Sequence, residues 1–223
     1  MSYLKKIAGA CAVAATLVAG NAVAAPITLS FEGVGDLHNV DTFYAGGTSS
    51  NGNSGTDHGI VFGSSFYGLV DSDAGGNGVL ANLPSGNTGL FFLDNNDATI
   101  TVAQGFENAF SFYYSANLAG FVNVFDGQSG TGTLLATVNL AYNNAACSDI
   151  RNQYCNYALV NMTFDGLARS VVFGGEPGYL VFDNLSFGAD PVSGDVPEPA
   201  TLGLTALGLA GLIAGRRKAA AKR

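Results

Sequence analysis

The 223 residues carry 17 acidic and nine basic side chains, 31 glycines and no tryptophan. That length fits one ordinary domain with appendages, not two large ones. The net charge of −8 repels phosphate and argues against a nucleic-acid partner.

The chain begins with a three-part leader. Lys5 and Lys6 precede an apolar stretch from Ile7 to Gly20, too short to span a bilayer. Ala22-Val23-Ala24 then supplies a small-x-small pattern. Together these predict a signal peptide over 1–24, cut by signal peptidase after Ala24. Cys11 lies inside the apolar stretch and leaves with it.

From residue 25 to residue 189 the hydrophobic period is two, not 3.6. Ile27, Leu29 and Phe31 alternate with polar residues, as do Phe110, Phe112 and Tyr114. Further runs follow at Val122 and Val124, Ala136 to Leu140, Leu159 to Phe164, Arg169 to Phe173 and Tyr179 to Phe187. Turn pairs separate them: Gly75-Gly76, Asn95-Asn96, Asp126-Gly127, Asp165-Gly166 and Gly174-Gly175. The expectation is all-β, a single antiparallel sandwich of jelly-roll character. Ala45 to Gly59 is small and polar throughout, so it reads as a long loop of the kind that often carries function. Asp71 and Asp73 in their glycine-rich setting fail the EF-hand spacing and read as a turn. Cys147 and Cys155, with seven residues between them in an exported chain, predict a disulfide.

Residues 25–196 hold 16 of the acids and two bases, Arg151 and Arg169, for a net charge of −14. A solvated acidic surface accounts for that, and so do oxygen-rich cation sites. Asp183 is the informative carboxylate. Strict alternation places it in one row with Val181, Leu185 and Phe187, where an unpaired charge is costly. Three partners suit it: calcium shared with Glu32 and with loop carbonyls from Gly55 to His58, an ion pair with Arg169, or water at a strand edge.

Catalytic signals are weak. His38 and His58 are the two histidines, and no G-x-S-x-G, H-E-x-x-H or phosphate-cradling loop appears. A non-catalytic protein is expected, with hydrolysis of matrix polysaccharide as the less favoured reading. Tyr44, Tyr67, Tyr113, Tyr142, Tyr154 and Tyr157 are candidates for stacking on sugar faces. Most of them are expected to be core or rim residues.

The far end is organised again. Asp190 to Val196 reads as a linker. Pro197-Glu198-Pro199 opens the final segment, an apolar run spans Thr201 to Gly215, and Arg216, Arg217 and Lys218 begin a basic tail. That run rises only about 22 Å as a helix, short of a full span, so it suits transient anchoring over 201–215. The basic cluster would remain cytoplasmic. The combination over 197–223 resembles the PEP-CTERM sorting signal of Gram-negative bacteria. The resemblance implies an exosortase as partner, removal of the tail, and display at the cell surface or release into the exopolysaccharide matrix. Stretches such as "FYAGGTSSNGNSGTDHGIVF" and "YLVFDNLSF" also resemble a body that recurs among PEP-CTERM proteins and has no defined activity. "FEG" at Glu32 and "FDN" at Asp183 resemble the first and last strands of jelly-roll carbohydrate-binding modules. There, the resemblance implies, a carboxylate from each holds a structural calcium. The function expected is a binding or structural component of the exopolysaccharide or biofilm matrix. A purely adhesive protein without a sugar site is the alternative.

Overall fold

The structure, a computed structural model, describes residues 26–147 and 153–188. The expected signal peptide, linker and sorting segment lie outside these residues, as does Arg151. Among the described residues no helix is long and apolar enough to cross a membrane.

Nine strands follow in order: β1 (Ile27–Leu29), β2 (Ile60–Phe62), β3 (Phe66–Val70), β4 (Thr88–Phe92), β5 (Thr99–Ala116), β6 (Gly120–Phe125), β7 (Leu134–Leu140), β8 (Ala158–Gly175) and β9 (Leu180–Phe187). All ladders between them are antiparallel. The alternating runs of the sequence thus become strands of an all-β sandwich. β2, β3 and β4 are additions to that reading. β4 has no alternation to detect, because all five of its residues are buried.

The sandwich is one continuous sheet folded on itself. β5 and β8 are each 18 residues long and pair along most of their length. Their near ends, Ala109–Ala116 and Ala158–Thr163, form a first leaf with β9, β4 and β3, and β1 lies beside β9. Their far ends, Thr99–Thr101 and Ser170–Gly175, form a second leaf with β2, β6 and β7. The register breaks at Phe106 and again before Ala109, where the pair crosses from leaf to leaf. Gly105, Asn108 and Gly166 all take positive φ in this crossing. Extra residues at such bulges bend a strand instead of ending it. Asp165-Gly166 is therefore a bulge inside β8, not the turn between two strands that its composition suggests.

The core lies between the leaves and is aromatic. Phe173 of the second leaf meets Phe182 of the first edge-on, ring centroids 4.8 Å apart. Phe66 of β3 meets the same Phe173 ring at 5.4 Å. Each fully buried phenylalanine contributes on the order of 1.5–3 kcal/mol relative to exposure. A smaller apolar cluster of Leu69, Leu80, Phe91, Tyr154 and Val181 forms separately. Cys147 and Cys155 are joined by the expected disulfide, with Cα atoms 5.7 Å apart. Asp71 to Gly76 is the expected turn, built on a short 3-10 segment at Ser72–Ala74.

Candidate functional site

The first and last strands meet where the site forms. β1 pairs with the end of β9, Thr28 opposite Ser186, and their hydroxyls hydrogen-bond at 2.6 Å. β9 does not keep strict alternation. Asn184 adopts φ 51°, and the pairing with β5 shifts between Ser111 and Tyr113. This bulge resets the faces. Leu180 and Phe182 before it, and Leu185 and Phe187 after it, all enter the main core. Val181 instead joins the smaller cluster, and Asp183 leaves the row in which the sequence places it. The expected face of Val181, Asp183, Leu185 and Phe187 is thus corrected by one left-handed residue.

Asp183 is fully buried under the turn that precedes β4. Its Oδ2 accepts the Ser85 amide at 2.8 Å, and the Ser85 hydroxyl lies 3.0–3.1 Å from both carboxylate oxygens. Its Oδ1 also accepts the Asn184 amide at 2.7 Å. Glu32, just past β1, holds the other end of the same turn: its Oε1 accepts the amides of Asn87 and Thr88 at 2.9 and 2.8 Å. Gly86 sits between, at φ 49°, with Glu32 so close that a Cβ there would collide with the carboxylate. Burial pushes Asp183 up to about 6; the Ser85 and Asn184 donors oppose that shift, and the nearby Glu32 charge adds to it.

These contacts bear on the partners expected for Asp183. Arg169 is not one of them, since its Nη1 donates to the Ala103 carbonyl at 3.3 Å. Nor is Asp183 solvated at an edge. A calcium site needs convergent oxygens with free lone pairs. Glu32 Oε1 and both Asp183 oxygens accept N–H or O–H donors and so clamp the turn. Among the described residues no three Asp, Glu, His or Cys side chains converge as a metal-ligating group.

Beside the clamp opens a cleft of about 450 Å³. Thr28, Ser30 and Glu32 line it from the first strand and its extension. The polar loop supplies Asn53, Ser54, Gly55, Thr56 and His58, and Phe43 and Tyr44 also line it. The loop is pinned along its length. Asn53 Nδ2 donates to the Gly33 carbonyl at 2.9 Å, Gly55 N to Phe43 O at 3.1 Å, and His58 N to Tyr44 O at 2.9 Å. Only glycine fits at position 55, because a Cβ would strike the Phe43 ring. Tyr44 is held in turn by the Phe31 amide, which donates to its hydroxyl at 2.9 Å, and burial pushes that hydroxyl up to about 12.

The tyrosines divide as expected. Tyr44 and Tyr154 are buried, and the Tyr154 hydroxyl donates to the Gly178 carbonyl at 2.6 Å. Tyr67, Tyr113 and Tyr157 are half-buried, and Tyr142 is exposed. His38 Nδ1 lies 3.1 Å from the Ser50 hydroxyl, but none of the carboxylates hydrogen-bonds its ring among the described residues. A Ser-His pair without an orienting group lacks the third part of a triad.

Residues 195–218 match the PEP-CTERM protein-sorting motif, so Pro197, Glu198, Pro199 and the basic residues Arg216, Arg217 and Lys218 fall inside a sorting signal. That motif belongs to exported proteins sorted to the cell surface. No curated protein matches the chain. Among solved structures, the K2 adhesin domain of Lys-gingipain is 13% identical, with 74% of this chain and 100% of that one covered at a TM-score of 0.44. A β-1,3-glucan-binding family 6 carbohydrate-binding module from Bacillus halodurans is 17% identical, with 57% and 88% covered at a TM-score of 0.39. Another family 6 module, studied for its binding sub-sites, is 18% identical, with 57% and 84% covered at a TM-score of 0.36.

Proposed function

We propose that this chain is an exosortase-sorted component of the cell surface or extracellular matrix, and that its sandwich binds matrix polysaccharide without catalysis. The observation that supports this most is the lining of the cleft. It gathers the polar residues Thr28, Ser30, Asn53, Ser54 and Thr56 with Glu32 and His58. Donors and acceptors in alternation complement a polyhydroxylated ligand, because each sugar hydroxyl both donates and accepts. Hydrolysis is less well supported. Among the described residues Glu32 is the one carboxylate lining the cleft, whereas retaining and inverting glycosidases both use two.

The test is retention of the exported protein, recovered from producing cells, on exopolysaccharide extracted from the same cells. The double variant Ser30→Val/Thr56→Val removes two cleft hydroxyls and is expected to lower retention at least tenfold. Equal retention would overturn the cleft as the binding site. No retention of the unaltered protein would favour a purely adhesive role, and release of reducing ends would favour hydrolysis.

A further inference from the structure

We propose that the outer face of the second leaf is a separate platform for an uncharged glycan, with Phe121 as the ring on which a sugar stacks. The proposal shares with the preceding reading only that the protein binds polysaccharide; it does not depend on the cleft.

Phe121 pairs in register with Gly174 on β8 and with Asn139 on β7. A Cβ at Gly174 would collide with ring atoms Cζ, Cε1 and Cε2 of Phe121. The ring therefore lies across the neighbouring strand, over the one residue that leaves room for it. It remains 39% exposed. An aromatic ring laid down on a sheet presents an apolar face of the kind that matches the C–H side of a pyranose.

Polar groups flank the ring at sheet spacing, about 4.8 Å across strands and 6.8 Å along them. Asn139 is exposed and makes no side-chain hydrogen bond among the described residues. One pleat away, Asn123 pairs with Val172 and Thr137. Thr137 Oγ1 donates to Asn123 Oδ1, which orients the amide and leaves its Nδ2 to other acceptors. Amide groups donate and accept together, the pattern that vicinal hydroxyls ask for. At one end the β6–β7 turn folds back over the sheet, its Gly130 amide donating to Ser170 Oγ at 2.9 Å.

Charge selects the ligand. The outward row formed by Val172, Gly174, Phe121, Asn123, Thr137 and Asn139 bears no ionisable side chain, although residues 25–196 have a net charge of −14. An acidic polymer is repelled by the body as a whole, and a cation finds no carboxylate on this face. A neutral glycan meets neither obstacle.

The experiment titrates the exported protein with cellohexaose, laminarihexaose, maltohexaose and mannohexaose, with hexagalacturonate as the acidic comparator, following binding by saturation-transfer NMR. At least one neutral hexasaccharide is expected to bind, and hexagalacturonate is not. Phe121→Ala is expected to weaken that binding about tenfold or more, the loss of one stacking contact. Phe121→Trp keeps the ring and is expected to stay within about threefold. Leu93→Ala, an exposed apolar side chain just past β4 and outside this face, is expected to leave hexasaccharide binding unchanged. The proposal is overturned if no neutral hexasaccharide binds, if Phe121→Ala binds as the unaltered protein does, or if the loss follows the cleft variant alone, in which case the cleft reading survives. A dimer that Phe121→Ala dissolves would also overturn it, by assigning the face to a second copy of the chain.

Discussion

Glu32, just past β1, and Asp183 of β9 grip the same short turn: Glu32 accepts the amides of Asn87 and Thr88, and Asp183 that of Ser85. The two carboxylates fix the segment leading into β4, and Glu32 also lines the neighbouring cleft. Closing the ends of the chain onto one turn couples the sheet edge at β1 to the stability of the whole fold.

That clamp gives stability a direction with pH. Asp183 is held up to about 6, above the unfolded carboxylate value near 3.9, because burial disfavours its charge. The native state therefore binds the proton more tightly than the unfolded state between about pH 4 and 6. Its stabilising contribution is complete below about 4 and is lost as pH rises through about 6. Asp94 and Asp126 work the other way, held low by donors from Ser65 and from the Thr133 backbone, and oppose the gain at more acidic pH. In chelator, Tm is expected to rise as pH falls from 7 to 5, and Asp183→Asn is expected to flatten that rise. A calcium ion shared by Glu32 and Asp183 would keep both charged and invert the slope. A Tm increase with added calcium that Glu32→Gln abolishes would establish the cation site in place of the clamp.

The packing of Gly86 against Glu32 predicts coupling between the two positions. Gly86→Ala forces a Cβ into the carboxylate at a positive φ and is expected to cost about 1–3 kcal/mol. Glu32→Ala removes the obstacle along with two charge-assisted hydrogen bonds. In a double-mutant cycle the pair is expected to be less damaging than the sum of the singles, by about 0.5–3 kcal/mol. Strict additivity would show that the carboxylate does not press on the turn.

Asn184 is the residue that takes Asp183 out of the row of Leu185 and Phe187. At φ 51° it tolerates asparagine and glycine but not β-branched side chains. Asn184→Gly is expected to leave stability within about 0.5 kcal/mol, and Asn184→Val to lower it by about 1–3 kcal/mol. Denaturant midpoints measure both, and equal effects would remove the bulge from the account.

This position also shows where sequence reading stops. Alternation finds β1, β6, β7 and most of β5 and β8, and β9 is found from its apolar run although all but one of its residues are buried. It cannot see a bulge made by asparagine, so it places Asp183 among Leu185 and Phe187. It likewise mistakes Asp165-Gly166 for a strand break, since a bulge and a turn both need positive φ. β4 is invisible to it, being buried on both faces. Glu32, Asp183 and the loop over 45–59 are all legible as site residues from composition and position. The contribution of Ser85 is not, because a serine in a Ser-Gly-Asn turn carries no mark of the carboxylate it caps. Phe121 is legible only as the outward neighbour of Val122, and it is Gly174 that leaves room for its ring across β8.

The disulfide closes a short loop. Replacing Cys147 and Cys155 together with serine is expected to cost about 2–3 kcal/mol, the entropy released in the unfolded chain. Reduction of the unaltered protein should lower Tm by the same amount as the double variant. A reduced protein as stable as the oxidised one would show that the bond contributes nothing to the fold.

The most direct test of the whole account follows the protein to its destination. An antibody against the folded sandwich and an epitope placed after Arg223 are used to probe the membrane, matrix and medium fractions of producing cells. The proposed sorting, in which the tail matched over 195–218 is removed, predicts that the sandwich reaches the matrix without the epitope. It also predicts that Ser30→Val/Thr56→Val shifts the sandwich from the matrix to the medium. Sandwich and epitope remaining together in the membrane fraction would contradict sorting by cleavage, and an unchanged matrix share in the cleft variant would contradict binding through that cleft.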